Sequence, residues 1–233
     1  MAAAHVQTQQ NNVNNGTSLS VTLTLTAGNA VIVTLCADTS LAGLGSPTQS
    51  AGDTLAFTCD NSLNPYVAQY LNHAVAGGST TFTFTWSNPQ LVRLFVTEVS
   101  GLVTSSAFDK TAVDGAGTTN ATTHSSGTTA TTTQADEFAL AAFNVDGSGT
   151  NTLSSLTNSF TVPTNGNQND GAGPISPKCV IAYKVLSAAG TVETTATFSD
   201  NTSGNGMVGT YKAAAAGGGQ VVRLWNIPLL GVS

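Results

Sequence analysis

Apolar and hydroxylated residues alternate near the start of the chain, where Leu19, Val21, Leu23 and Leu25 stand between Ser18, Ser20, Thr22, Thr24 and Thr26. A pleated strand sends successive side chains to opposite faces, so this period of two predicts one buried and one wetted face. The pattern returns at residues 81–86 (T-F-T-F-T-W) and, less regularly, at residues 194–198. Residues 30–36 are instead almost continuously apolar and partly β-branched, which predicts a central strand covered on both sides.

Around these anchors the chain reads as many short strands separated by turn formers. Residues 5–9 have weak strand character, the Asn-rich stretch 11–16 predicts a turn, and Ala27-Gly28-Asn29 predicts another. Residues 41–50 read as a loop, 53–59 as a short strand, and 66–74 as a strand for which a helix is the alternative. Residues 80–86 and 90–100 flank Ser87-Asn88-Pro89 and predict an antiparallel hairpin. Residues 113–133 are low-complexity Thr, Gly, Ala and Ser, either an extended crossover between sheets or a flexible linker. Strands follow at 138–145 and 160–162, a Gly/Asn/Asp loop at 165–173, and a closing meander at 179–186, 191–198 and 207–212.

The sum is an all-β chain, a jelly-roll-like β-sandwich over residues 1–212 with a strand-like C-terminal extension over 213–233. Within that extension Gln220, Val221, Val222, Arg223, Leu224 and Trp225 repeat the pattern of Gln90, Leu91, Val92, Arg93, Leu94 and Phe95, and Arg93 and Arg223 are the only arginines. The repeat is either a pair of equivalent strands or a chance match between short apolar runs. Residues 220–225 are thus a candidate assembly segment, able to add to a sheet edge of its own or of a neighbouring copy.

Composition narrows the function. The chain has 233 residues, of which 8% are charged and 40% hydrophobic, so its polarity is carried mainly by Thr, Ser, Asn and Gly. A net charge of −6 opposes nonspecific attraction to phosphate backbones, so nucleic acid is not an expected partner. The apolar runs are far shorter than the roughly 20 residues of a membrane helix, so membrane insertion is not expected. No signal peptide is read at Met1, and the expectation is synthesis and assembly in a cytoplasm. Cys36, Cys59 and Cys179 form an odd set without C-x-x-C spacing; buried free thiols are the expectation, with a Cys36 to Cys59 bridge as the alternative.

Candidate chemistry is sparse. His5, His73 and His124 lack metal-ligand spacing, and no nucleophile elbow, P-loop or dinucleotide fingerprint is present, so no metal, cofactor or catalytic residue is assigned and the chain is not expected to be an enzyme. The adjacent Asp136 and Glu137, with Asp53, Asp109, Asp114 and Glu193, read as turn carboxylates rather than a glycosidase pair. Asn165, Asn167, Asn169 and Asp170 alternate oxygen-bearing side chains but lack the closing Glu of a calcium loop. Trp86, Trp225, Tyr66 and Tyr70 are candidates for a sugar-stacking platform, with core packing as the alternative.

Several segments together resemble a β-sandwich module of bacteriophage structural proteins and bacterial surface proteins. They are Ser50-Ala51-Gly52-Asp53-Thr54, Ala76-Gly77-Gly78 ahead of the Thr/Phe strand, Glu98-Val99-Ser100-Gly101-Leu102 with Asp109 following, Thr133-Gln134-Ala135-Asp136-Glu137-Phe138, and residues 190–212 ending in Tyr211-Lys212. The resemblance spans residues 5–212 and implies a jelly-roll-like sandwich displayed on a virion or cell surface without catalytic residues. The expected function is that of a virion structural protein, a capsid decoration or other exterior component on the virion exterior. Its expected partners are further copies of itself, as a trimer, and other virion proteins such as the capsid shell. The alternative is a carbohydrate-binding or host-recognition module of a tail fibre or adhesin that binds surface glycans.

Overall fold

The computed structural model describes residues 2–39, 43–45, 47–52, 54–61, 63, 65–114, 120–146, 151–168 and 178–215, and no helix occurs among them. The candidate assembly segment 220–225, with Arg223 and Trp225, and Asp53, Asn169 and Asp170 lie outside the described residues.

The first strands are β1 (Ala4–Leu25), β2 (Ala30–Ala37), β3 (Thr48–Gln49), β4 (Ala56–Asp60), β5 (Tyr66–Asn72) and β6 (Gly78–Ser100). The remainder are β7 (Phe108–Val113), β8 (Ala121–Ser125), β9 (Asp136–Val145), β10 (Leu153–Leu156), β11 (Asn167–Gln168), β12 (Lys178–Ser187), β13 (Thr195–Thr202) and β14 (Gly204–Lys212).

Strands β1 and β6 pair antiparallel along nearly their whole length, and both bend midway. Their first and second halves therefore serve two facing layers of one continuous six-stranded sheet, Leu19 and Phe82 packing on Val31 and Val33. Residues 4–13 of β1 and 90–100 of β6 belong to a sheet of order β1-β6-β2-β5-β4, while residues 18–25 and 78–85, joined by β3, fold back over it. Two predicted turns are corrected here. The Asn-rich stretch 11–16 is a bend inside β1, with register shifts at Val13/Gly16 and Gly16/Ser18 and with Asn15 left-handed at φ 63°. Ser87-Asn88-Pro89 is not a hairpin loop but an outward bulge in β6, where residues 86–89 stand against Thr17 alone. Turn-forming residues mark a break in the ladder, and a bulge satisfies that chemistry as well as a reversal does.

The second half of the chain repeats this plan strand for strand. Strands β11-β12-β9-β14-β7 form one sheet and β10-β13-β8 another. In chain order β7 and β8 take the places of the two halves of β1, β9 to β12 those of β2 to β5, and β13 and β14 those of the two halves of β6, with the same neighbours in each case. Each unit thus has the jelly-roll arrangement, a large sheet facing a small one, and the predicted sandwich is present twice within residues 1–212. The predicted closing meander is corrected accordingly: β12 and β14 both flank β9 in the large sheet, whereas β13 lies in the small one. Residues 66–74, where a helix was the alternative, carry strand β5, and the predicted strand at 160–162 is reduced to a single bridge from Thr161 to Tyr183. Of the low-complexity stretch, residues 121–125 form β8 and Ser126, Thr129 and Thr132 donate main-chain bonds to Thr194, Val192 and Gly190.

Four layers result, with apolar cores in the three gaps. Leu19, Leu23, Phe82, Phe84 and Trp86 fill the first sandwich with Val31, Val33 and Leu35. Phe143, Val180, Ala196 and Phe198 fill the second. Between the large sheets Ile32, Phe95 and Leu71 meet Phe138, Leu140, Ile181 and Tyr211. Strand β2 sends alternate residues into two of these cores, as its unbroken apolar sequence requires, and β9 does the same. Each fully buried Phe or Leu contributes roughly 1.5–3 kcal/mol through removal of apolar surface from water.

A disulfide joins Cys36 of β2 to Cys179 of β12 across the central gap, with Cα atoms 6.5 Å apart. The expectation of three buried thiols and the alternative Cys36 to Cys59 pairing are both corrected; Cys59 is the free, buried cysteine. Sequence spacing does not reveal a contact that depends on two sheets packing back to back.

Candidate functional site

The aromatic residues singled out as a stacking platform lie mostly inside. Trp86 is 5% exposed and its indole Nε1 donates to the carbonyl of Gly16 at 2.8 Å, closing the bend between the paired long strands. The Tyr66 hydroxyl donates to Asp60 Oδ2 at 3.3 Å, and burial raises its pKa above the ordinary value. Tyr70 packs edge-on against Phe84, with centroids 5.2 Å apart, and burial pushes its hydroxyl up to about 12. These three serve the first core rather than a shared exposed plane.

One aromatic does reach solvent. Phe57 on β4 is 55% exposed, meets Tyr70 edge-on at 5.6 Å, and lines an open cleft of about 320 Å³ with Leu44, Pro47 and Leu55. Phe57 was not singled out in the sequence, because its exposure depends on β4 lying at the edge of its sheet.

The outward faces of the small sheets are coated with hydroxyls. Ser18, Ser20, Thr22 and Thr24 stand opposite Thr85, Thr83, Thr81 and Ser79, and hydroxyl bonds link Ser20 to Thr83 at 2.8 Å and Thr22 to Thr81 at 2.7 Å. In the second sandwich Thr123, Thr195, Thr197, Ser155 and Ser199 occupy the corresponding outward side. The apolar partners of these positions, such as Phe82 and Phe198, face inward, so the alternation seen in the sequence fixes both the core and this coat.

The carboxylates fall into three settings. Glu98 is buried and accepts from Gln7 Nε2 at 2.6 Å, Asn29 Nδ2 at 2.6 Å and the main-chain N–H of Thr26 at 2.8 Å. Burial works against its ionised form, but these donors outweigh it and hold the carboxyl below its ordinary pKa. Glu137 is also fully buried, beside Asp109, and burial together with the neighbouring carboxylate pushes it up to about 7. Asp109 is held down at about 2, since the Thr133 N–H and hydroxyl and the Lys110 ammonium outweigh its desolvation. Third, burial and the nearby Asp146 push Asp38 up to about 6, while Arg93 pulls it down. Asp38 borders a second cleft, of about 350 Å³, with Asn14, Asn15, Pro89 and Gln90.

The histidines are dispersed, as their spacing implied: His5 stacks on Tyr183, His73 accepts from the N–H of Ala107, and His124 lies against Phe198. Asn165 donates to the carbonyl of Thr8. Among the described residues no group of three or more metal-ligating side chains converges. Compared with known proteins, the chain matches no family model, no curated protein and no solved structure.

Proposed function

We propose that this chain is a non-enzymatic structural component of a bacteriophage particle, a capsid decoration or other exterior protein that works by contact with copies of itself and with the shell. The observation that carries the reading is the pair of outward hydroxyl-coated sheets at opposite ends of the four-layer stack. Along residues 18–25 and 78–85 that coat contains no charged side chain. Uncharged surfaces let many identical subunits crowd together without mutual repulsion, and hydroxyls both donate and accept across a contact. A closed homo-oligomer, with a trimer as the working arrangement, follows from this reading.

Light scattering after size exclusion, over a wide concentration range, is the test. A closed oligomer that Thr22→Glu plus Thr81→Glu converts to monomer supports the reading. A chain that stays monomeric at every concentration and does not bind phage particles overturns it. A second reading, a glycan-binding module, draws support from the Phe57 and Tyr70 cleft, since exposed aromatic rims bury sugar faces. It requires that soluble polysaccharide protect Phe57 from solvent, and that Phe57→Ser abolish the binding.

A further inference from the structure

Lys178 is 3% exposed at the start of β12, and its Nζ donates to the main-chain carbonyl of Asn151 in a short contact. Asn151 precedes β10 and is itself 1% exposed. Its side-chain Oδ1 accepts from the Asp200 N–H at 3.2 Å and from the Ser199 hydroxyl at 3.3 Å, both on β13. Its side-chain nitrogen is buried without a hydrogen-bond partner. Asp200 is close enough to act electrostatically on the Lys178 amine, and its Oδ1 accepts from Ser199 at 3.1 Å.

This arrangement contains the parts of an acyl transfer. A buried lysine favours the neutral, nucleophilic amine, and here burial lowers the Lys178 pKa while Asp200 opposes the shift. On the side-chain carbonyl of Asn151 the Asp200 N–H polarises the carbon and stabilises the oxyanion of a tetrahedral intermediate, while the single Ser199 hydroxyl proton is shared between Asn151 Oδ1 and the Asp200 carboxylate. We propose that Lys178 and Asn151 are the site of an intramolecular isopeptide bond. The Lys178 nitrogen bonds to the side-chain carbonyl carbon of Asn151, the carbon–nitrogen bond of the Asn151 amide breaks, and ammonia leaves. The proton shed by the attacking amine passes through the Asp200 carboxylate to the departing nitrogen. No electrons are exchanged and no cofactor is needed. The product ties the large sheet of the second sandwich, through β12, to the segment leading into β10 of its small sheet.

The test is the intact mass of the reduced, denatured full-length chain, followed by peptide mapping. The expected result is a loss of one ammonia and a branched peptide joining the segments around residues 151 and 178, with trypsin sparing the bond after Lys178. Lys178→Arg and Asn151→Ala each abolish the branched peptide, and Asp200→Asn slows its formation by roughly 100-fold. Mapping is essential because a succinimide at Asn15-Gly16, Asn165-Gly166 or Asn205-Gly206 loses the same mass. A full-mass chain, or an ammonia loss that maps anywhere else while residues 151 and 178 remain in separate linear peptides, overturns the proposal.

Discussion

The two sandwiches share a strand plan but solve one buried polar position in opposite ways. In the first, Glu98 on β6 is surrounded by amides, from Gln7 on β1 and from Asn29 just before β2. In the second, register places Thr210 where Glu98 stands and Glu137 where Asn29 stands, and Asp109 on β7 takes the part of Gln7. The main-chain N–H that meets the acid comes from Thr26 in one unit and Thr133 in the other. One carboxylate among amides is stable when ionised. Two carboxylates in the same space are stable when Glu137 keeps its proton and shares it with Asp109. A fold position therefore requires that its donors and acceptors balance, not that a particular residue occupy it.

The comparison is broken most severely by separating the two units. The disulfide closes a sequence separation of 143 residues, and loop-closure entropy at such lengths amounts to about 5 kcal/mol. Cys36→Ala with Cys179→Ala is expected to lower the unfolding free energy read from urea denaturation by that amount, and reduction of the wild type to match it. An unchanged midpoint would show that the central apolar gap alone sets the stability. Next comes Glu98→Ala, which leaves two amides and an N–H without their acceptor and costs about 3 kcal/mol at neutral pH, read by the same denaturation.

Much of this architecture was legible and its doubling was not. Residues 30–36 announced a central strand because burial on both faces removes the alternation, and residues 18–26 announced a one-sided sheet because it does not. The units nevertheless share little identity: the counterpart of residues 90–95 (Q-L-V-R-L-F) is 202–207 (T-S-G-N-G-M), since Arg93 and Asn205 take matching register positions beside Cys36 and Asn144. The similarity visible in the sequence, between 90–95 and 220–225, points to a different segment. The polar sites were hidden for a related reason. Gln7, Asn29 and Glu98 meet only through strand pairing, and Phe57 is exposed only because β4 is an edge.

Opposite pH responses sharpen the comparison. Glu98 and Asp109 have folded pKa values below their unfolded ones, so the stability they give is present above pH about 4 and is lost as the pH falls through their folded values. Glu137 is raised from 4.5 to about 7, so its contribution is complete below 4.5 and is lost as the pH climbs to 7. The contribution of these carboxylates to thermal stability is thus expected to peak near pH 4–5 and to decline on both sides, while His5, His73 and His124, whose pKa values burial lowers, oppose it below pH about 6.5. Glu137→Gln keeps a donor for Asp109 at every pH. It is expected to remove the alkaline decline and to gain up to about 3 kcal/mol at pH 8, where the wild type holds two charges in one buried space. A profile from pH 5 to 8 that Glu137→Gln leaves unchanged would remove the shared proton from the account.

The smallest expected effect concerns the bend. In the first unit, β1 and β6 run continuously from one sheet into the other, whereas the second unit divides the same path into β7 and β8 and into β13 and β14. Trp86 sits where the continuous strands turn, its ring in the core and its N–H on the Gly16 carbonyl. Trp86→Phe keeps most of the apolar filling and deletes only the donor, so it should cost about 1 kcal/mol. Its signature is local: amide exchange should quicken at residues 15–17 and 86–90 and stay unchanged in β13 and β14. Faster exchange throughout the first core would instead mean that the ring's packing, rather than its hydrogen bond, keeps the long strands whole.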